Sequence, residues 1–260
     1  MVLYRVRSWR LLYATPYSNV SIHANCICVV ELIGYIGRAA SAQQTPDWTL
    51  GPYIIQSLFL LVAPALFAAS IYMTLGRIIL LVDGEAHSII RKNWLTKLFV
   101  GGDVLSFLMQ GSGGGMMAGS ASMANTGEKL VVGGLFVQLL FFGLFIVTAG
   151  IFHFRLHKVP TAASLMRDVP WKKHMYTLYG ASLLIMVRSI FRVVEYLQGY
   201  DGYLLRHEVY LYIFDAVLMF VVMLIFNWSH PSEVKALLRG GLYSKGFFKM
   251  EDIRQTSQLP

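Results

Sequence analysis

Charged residues are scarce in this chain. Asp, Glu, Lys and Arg make up 14% of its 260 residues, whereas about 25% is usual in a soluble globular domain. Hydrophobic residues make up 56%. This balance excludes an ordinary soluble domain, and it predicts an all-α, polytopic membrane protein. The length suits one helical bundle rather than two domains.

Cysteine is almost absent, and the common catalytic motifs are missing. Cys26 and Cys28 lie two residues apart in an apolar run, so a disulfide framework is excluded. The sequence contains no Walker-type nucleotide motif and no G-x-S-x-G elbow. His153 and His157 have a spacing that can bind metal, but we favour interfacial histidines. We therefore expect that the protein has no ATPase activity, binds no cofactor or metal, and is not an enzyme. The competing hypothesis is an intramembrane lipid hydrolase that uses histidines and a metal.

Six apolar runs are candidates for membrane-spanning helices, each of which needs roughly 20 residues. The second and fourth runs are clear, whereas the first is weak because it contains His23, Glu31 and Arg38. Pro64 lies inside the second run and predicts a kink. The predicted spans are residues 20–40, 51–76, 97–118, 130–152, 173–198 and 208–229.

Positive charge alternates between the segments that connect these spans. Along the chain the segments carry 3, 1, 4, 1, 5, 1 and 5 Lys and Arg residues. Cytoplasmic loops are the basic ones, so both termini are predicted to be cytoplasmic. The net charge of +8 therefore indicates contact with anionic inner-leaflet lipids rather than nucleic acid. We predict a basic N-terminal segment (1–19), a helix bundle (20–230) and a basic tail (231–260).

The fifth and sixth spans carry charges inside apolar sequence. Arg188, Arg192 and Glu195 lie on one helix face, because they are separated by four and three residues. Asp215 lies in the next span, at about the depth of Arg192. Charges in lipid usually face a bundle interior and pair, so we expect Arg192 to pair with Asp215 or with Glu195.

Other polar residues interrupt the first and third spans. Glu31 and Asp103 have no obvious partner in their own runs, and Gln110 follows Asp103 by seven residues, on the same helix face. Arg38 is expected to pair with Glu195 near the outer end. The predicted substrate-binding or transport network comprises Glu31, Asp103, Gln110, Arg188, Arg192, Glu195 and Asp215.

Two interpretations of this network remain open. It could form a polar cavity, in which the acids bind a cationic head group or relay protons and the arginines bind a phosphate. It could instead be a salt-bridge network that locks the bundle. The glycines from Gly111 to Gly119 permit close approach of a helix or a lipid chain, and such small residues also permit a homo-oligomer.

Several long stretches resemble the fungal RTA1-like family, the lipid-translocating exporters. They are GYIGR (34–38), QSLFLLVAPALFAASIYMTLGRII (56–79), FVGGDVLSFLMQGSGGGMMA (99–118) and the stretch from 178 to 231. The resemblance implies seven spans with the N-terminus outside, and we expect the first of these to be absent here. It implies no catalytic residues.

The resemblance also implies a function. It indicates a multi-pass protein of the plasma membrane, or alternatively of an endomembrane. The implied activity is transport of lipid-like amphiphiles, either sphingoid bases or toxic compounds to which the transporter confers drug resistance. A receptor-like regulator of lipid homeostasis or stress resistance, without net transport, is the alternative.

Overall fold

The computed structural model describes residues 19–43, 50–119, 121–165, 171–198 and 208–229, together with 234, 238, 242–244 and 247–249 in the tail. The predicted basic segment before residue 19 and most of the tail lie outside the described residues. So do the side chains of His23 and both cysteines.

Every predicted span is helical, which confirms the all-α fold class. The helices are α1 (Asn19–Gln43), α2 (Leu50–Leu81), α3 (Lys92–Gly119), α4 (Ala124–Lys158), the short α5 (Ala162–Leu165) and α6 (Trp171–Leu197). The last helix consists of α7 (Glu208–Leu211), a π-helical segment (Tyr212–Val217) and α8 (Leu218–Trp228). Short 3-10 turns occupy Glu85–His87 and Ala121–Met123. In the tail, β1 (Leu242–Ser244) and β2 (Phe247–Lys249) form an antiparallel hairpin with Tyr243 opposite Phe248.

Four helical segments are long and apolar enough to cross a membrane: Phe59–Leu81, Ala124–Lys158, Trp171–Leu197 and Val209–Trp228. Large side chains on their outer faces, such as Leu140 and Phe220, are exposed, as expected where a helix faces lipid. The chain is therefore an integral, multi-pass membrane protein. Helices α1 and α3 have 25 and 28 residues, but they are more polar, so crossing of the membrane by these two stays a prediction.

An aromatic cluster joins α2, α3 and α4 in the core. The Tyr72 ring lies 4.5 Å from that of Phe145 and 5.5 Å from that of Phe99, measured between centroids. Phe142 completes the cluster, 6.1 Å from Tyr72. Such tilted aromatic pairs stabilise a core beyond the area that they bury, and here they fix α3 against its two neighbours.

Glycines allow α3 and α4 to approach closely. A Cβ atom added to Gly113 would lie 2.6 Å from the carbonyl oxygen of Gly127, and one added to Gly127 would lie 2.5 Å from that of Gly113. Gly114, Gly115 and Gly119 instead face open space. Close helix contact therefore accounts for Gly113 within the glycine cluster, whereas these other glycines leave a small-residue surface on the outside of α3.

Candidate functional site

Arg188 lies at the meeting point of three helices. Its side chain, on α6, is buried, and its Nε forms an ion pair with Oδ1 of Asp215 in the π-helical segment. Its Nη2 donates a 2.8 Å hydrogen bond to the backbone carbonyl of Leu60 on α2. One guanidinium therefore joins α2, α6 and the last helix.

The carbonyl of Leu60 is available because of Pro64. In a regular α-helix this carbonyl would accept from the N–H of the residue four positions later, which here is Pro64. Proline has no N–H, so the carbonyl lacks its usual donor. Arg188 supplies that donor from the neighbouring helix. The proline that predicts a kink thus also creates the acceptor for a buried arginine, and we did not predict this partner from the sequence.

Asp215 receives a second contact from α1. The hydroxyl of Tyr35 donates to Oδ2 of Asp215 at 3.5 Å, a long hydrogen bond. Asp215 itself lies in the six-residue π-helical segment Tyr212–Val217, a rare type of irregularity that is frequent at functional sites. Arg188 therefore contacts both the carbonyl that Pro64 deprives of its N–H donor and the acid of the π-helical segment.

Glu31 adds a second acid to this group. It lies one turn before Tyr35 on α1, is 5% exposed, and interacts electrostatically with Arg188 and Asp215. Its Oε2 atom is buried without a hydrogen-bond partner among the described residues. We call Glu31, Tyr35, the Leu60 carbonyl, Arg188 and Asp215 the Arg188 cluster. This cluster holds two carboxyl groups and one guanidinium.

Arg192 and Glu195, the other two charges in the middle of α6, pair with each other. Nη1 of Arg192 donates to Oε2 of Glu195 at 2.8 Å, so of the two predicted partners Arg192 contacts Glu195 directly. Asp215 pairs directly with Arg188 and interacts with Arg192 electrostatically without a direct contact. The expected pair of Arg38 with Glu195 is wrong. Arg38 instead lies against Tyr212, with its Nε 3.4 Å from the hydroxyl and its guanidinium carbon 5.4 Å from the ring centroid.

Asp103 does not belong to the Arg188 cluster. It lies beside Tyr72 of α2, and Tyr72 follows Leu60 by twelve residues, or about 18 Å along the helix. Asp103 is buried against the Tyr72 hydroxyl, which is not positioned for a well-formed hydrogen bond to either carboxylate oxygen. On the same face Gln110 donates from Nε2 to Oε1 of Gln138 on α4 at 3.2 Å. The seven predicted residues thus lie in two regions. Glu31, Arg188 and Asp215 belong to the Arg188 cluster with the Arg192–Glu195 pair beside it, and Asp103 and Gln110 form a second polar site.

The histidine pair at the end of α4 lies in an aromatic environment. The ring of His153 stacks on Tyr179 with 5.7 Å between centroids, and its Nδ1 lies 3.2 Å from the Tyr179 hydroxyl. His157 is exposed. Within the described part of the chain, no group of three or more His, Cys, Asp or Glu side chains is placed to hold a metal ion.

Comparison with known proteins identifies the family. The family model described as "RTA1 like protein" matches residues 25–236, which include both polar sites. The chain belongs to the RTA1-like family. It is 47% identical to Protein RTA1 of Saccharomyces cerevisiae over 204 residues, which are 78% of this chain and 63% of that protein.

Two other relatives carry functional names. The chain is 44% identical to Protoporphyrin uptake protein 1 of Saccharomyces cerevisiae over 202 residues, 77% of this chain and 65% of the relative. It is 26% identical to a sphingoid long-chain base transporter of Saccharomyces cerevisiae over 246 residues, 81% of this chain and 64% of the relative. The chain thus spans about two thirds of the length of these relatives. No solved structure matches it.

Proposed function

We propose that this protein transports lipid-like amphiphiles across a membrane without an ATPase of its own, and that it is not an enzyme. The observation that carries the proposal is the Arg188 cluster, in which a buried ion pair lies next to an acid with an unpartnered oxygen. Ionisable groups inside a membrane bundle are expensive and usually mark a substrate or ion pathway. The names of two relatives, for uptake of protoporphyrin and transport of sphingoid bases, support the same class of cargo.

The balance of charge in the cluster favours a cationic head group. Arg188 neutralises one of two nearby carboxyl groups and is already occupied by Asp215 and the Leu60 carbonyl. A phosphate would have to displace these partners. An ammonium group would instead find Glu31, which has spare acceptor capacity. We therefore propose amphiphiles with an amino head group, such as sphingoid bases, as the preferred cargo.

A flux measurement tests the proposal. Purified protein is reconstituted into liposomes with a sphingoid base that carries a nitrobenzoxadiazole fluorophore, and dithionite quenches only the outer leaflet. Transport predicts that fluorophore added outside becomes protected at a rate proportional to the amount of protein. Folded protein that binds the probe but does not move it in these protein-only vesicles would instead be the receptor-like regulator. Arg192→Ala, which breaks the Arg192–Glu195 pair, tests whether this pair also contributes to movement.

Glu31→Gln is expected to reduce this flux about tenfold or more. The substitution preserves size but removes the charge that would hold an ammonium group, and a hydrogen bond to a charged group contributes about 1.5–3 kcal/mol, which corresponds to at least a tenfold change in rate. Glu85→Gln is the matched control, because Glu85 is exposed in the short 3-10 turn after α2. Equal flux for Glu31→Gln and the control would contradict a role for Glu31.

The orientation and location of the protein are also proposed. The alternation of basic segments supports cytoplasmic termini and contact of the basic loops with anionic inner-leaflet lipids. The family supports residence in the plasma membrane. Protease added to intact cells should leave a tag after residue 260 uncut, because the tag would lie in the cytoplasm. Cleavage of the tag would contradict the proposed orientation.

A further inference from the structure

Asp103 is a buried acid outside the Arg188 cluster. Its side chain is 4% exposed, and the group that lies against its carboxyl is the neutral hydroxyl of Tyr72, which is not positioned for a well-formed hydrogen bond to either oxygen. A carboxylate charge that is removed from water without a cationic partner is very costly. The group must therefore be neutralised by a cation in this conformation.

The surroundings of Asp103 determine which cation fits. Phe99 precedes it by one turn on the same face of α3. The Tyr72 ring packs against both Phe99 and Phe145, with centroid distances of 5.5 and 4.5 Å, and these two rings also contact each other. Rings at these distances are in direct contact, so the space between them cannot hold an organic ammonium group. A proton fits, because it needs neither a cavity nor additional ligands.

The neighbouring helices supply no charge that could replace the proton. From α2, the titratable group that acts on Asp103 is Tyr72, through its hydroxyl. On α4, the polar side chain that faces this part of α3 is Gln138. It is neutral and accepts a hydrogen bond from Gln110. Within the described residues no Lys, Arg or His forms an ion pair with Asp103.

A row of polar side chains continues from Asp103 along α3. Ser106 and Gln110 follow at offsets of three and seven residues, which places them on the same face, and they are 1% and 3% exposed. The row is about 10 Å long. It runs from the middle of α3 toward the end of the helix that lies away from the basic segment 91–97. Because basic segments lie in the cytoplasm, the opposite end of α3 is predicted to lie on the non-cytoplasmic side.

We propose that Asp103 is the proton-carrying group that couples transport to a transmembrane proton gradient. This inference rests on the proposed transport function. Water that reaches the polar row from one side delivers a proton, and an O–H bond forms on the carboxylate. After the helices rearrange, the same O–H bond breaks and the proton passes to water on the other side. One proton is taken up and one is released in each cycle.

The test measures protons and amphiphile together. The whole chain is reconstituted into liposomes that contain the pH-sensitive dye pyranine, and the fluorescent sphingoid base is supplied under a pH gradient. Wild type should move both. Asp103→Asn should lose gradient-driven proton movement, by about tenfold or more, but should still exchange amphiphile between two equal pools, because exchange needs no release of the proton.

Two variants control the test. Asp83→Asn makes the same chemical change at an exposed position in the loop after α2, where the positive φ of 49° suits asparagine. It should behave as wild type. Asp103→Glu keeps a carboxyl group and should retain proton movement if the variant folds. Two outcomes would overturn the assignment: a folded Asp103→Glu variant that no longer moves protons, or an Asp103→Asn variant that still does.

The outcomes separate this inference from the proposed function. Amphiphile movement in wild type without proton movement would overturn the coupling and leave transport standing, whereas movement of neither would overturn both. Infrared spectroscopy provides a second readout that does not depend on transport. Wild type and Asp83→Asn should show the C=O stretch of a buried protonated carboxyl group that Asp103→Asn lacks. Identical spectra for all three would show that Asp103 holds no proton.

Discussion

Arg188→Leu should lower the free energy of unfolding by about 3–5 kcal/mol, the usual loss when one partner of a buried ion pair is removed. The variant leaves the carboxylate of Asp215 without its cation. It also leaves the Leu60 carbonyl without the donor that replaces the missing N–H of Pro64. The measurement is unfolding of the purified protein in mixed detergent micelles. Arg155→Leu, at an exposed position near the end of α4, is the control and should change stability by less than about 0.5 kcal/mol.

Compensating substitutions separate the two contributions of Arg188. Asp215→Leu in the Arg188→Leu background removes the uncompensated charge and should recover much of the loss, because two apolar residues often replace a buried pair at little cost. Pro64→Ala added to that double variant restores an N–H for the Leu60 carbonyl and should recover about 1 kcal/mol more. In wild type the same Pro64→Ala should gain nothing, because Arg188 already occupies this carbonyl. Equal effects of Pro64→Ala in both backgrounds would disprove the coupling between Pro64 and Arg188.

The composition of the sequence was sufficient to predict the helices, but not the pairing of charges. All six predicted spans are helical, because long apolar runs leave the backbone no other way to satisfy its hydrogen bonds in lipid. Counting residues from the span ends placed Asp215 level with Arg192, whereas the structure pairs it with Arg188, one turn away. The π-helical segment around Asp215 has more residues per turn than an α-helix. It therefore changes both the depth of Asp215 in the bundle and the helix face on which its side chain lies. Hydropathy carries no signal for that shift.

The partners of the acidic residues were predicted less well, for two physical reasons. The Leu60 carbonyl is a backbone group and does not appear as a residue type, although the position four residues before Pro64 could have identified it. The separation of Asp103 from Arg188 depends on the packing of α3 and α4 with α2, and the sequence of a single helix does not contain this information. By contrast, Glu31 and Asp103 were predicted to lack partners in their own runs, and each keeps at least one buried oxygen without a hydrogen bond.

Gly113→Ala should destabilise the protein by about 1–3 kcal/mol, the usual cost of inserting a group into a filled contact. The new Cβ would lie 2.6 Å from the Gly127 carbonyl oxygen and 2.9 Å from the backbone nitrogen of Val131. Neither backbone atom can move aside without shifting α4. Unfolding in mixed micelles measures the change, and Gly127→Ala should have a similar effect.

The neighbouring glycine provides a matched control. Gly114→Ala places the same methyl group in open space on the same helix, so helix propensity alone should leave stability unchanged or raise it by up to about 1 kcal/mol. Equal stability of the two variants would show that α3 and α4 are not in contact at Gly113. The contact between α3 and α4 at Gly113 should also matter for function. The methyl group at Gly113 would push α4 away from α3 and break the hydrogen bond between Gln110 and Gln138, so Gly113→Ala, unlike Gly114→Ala, should also slow proton movement through Asp103.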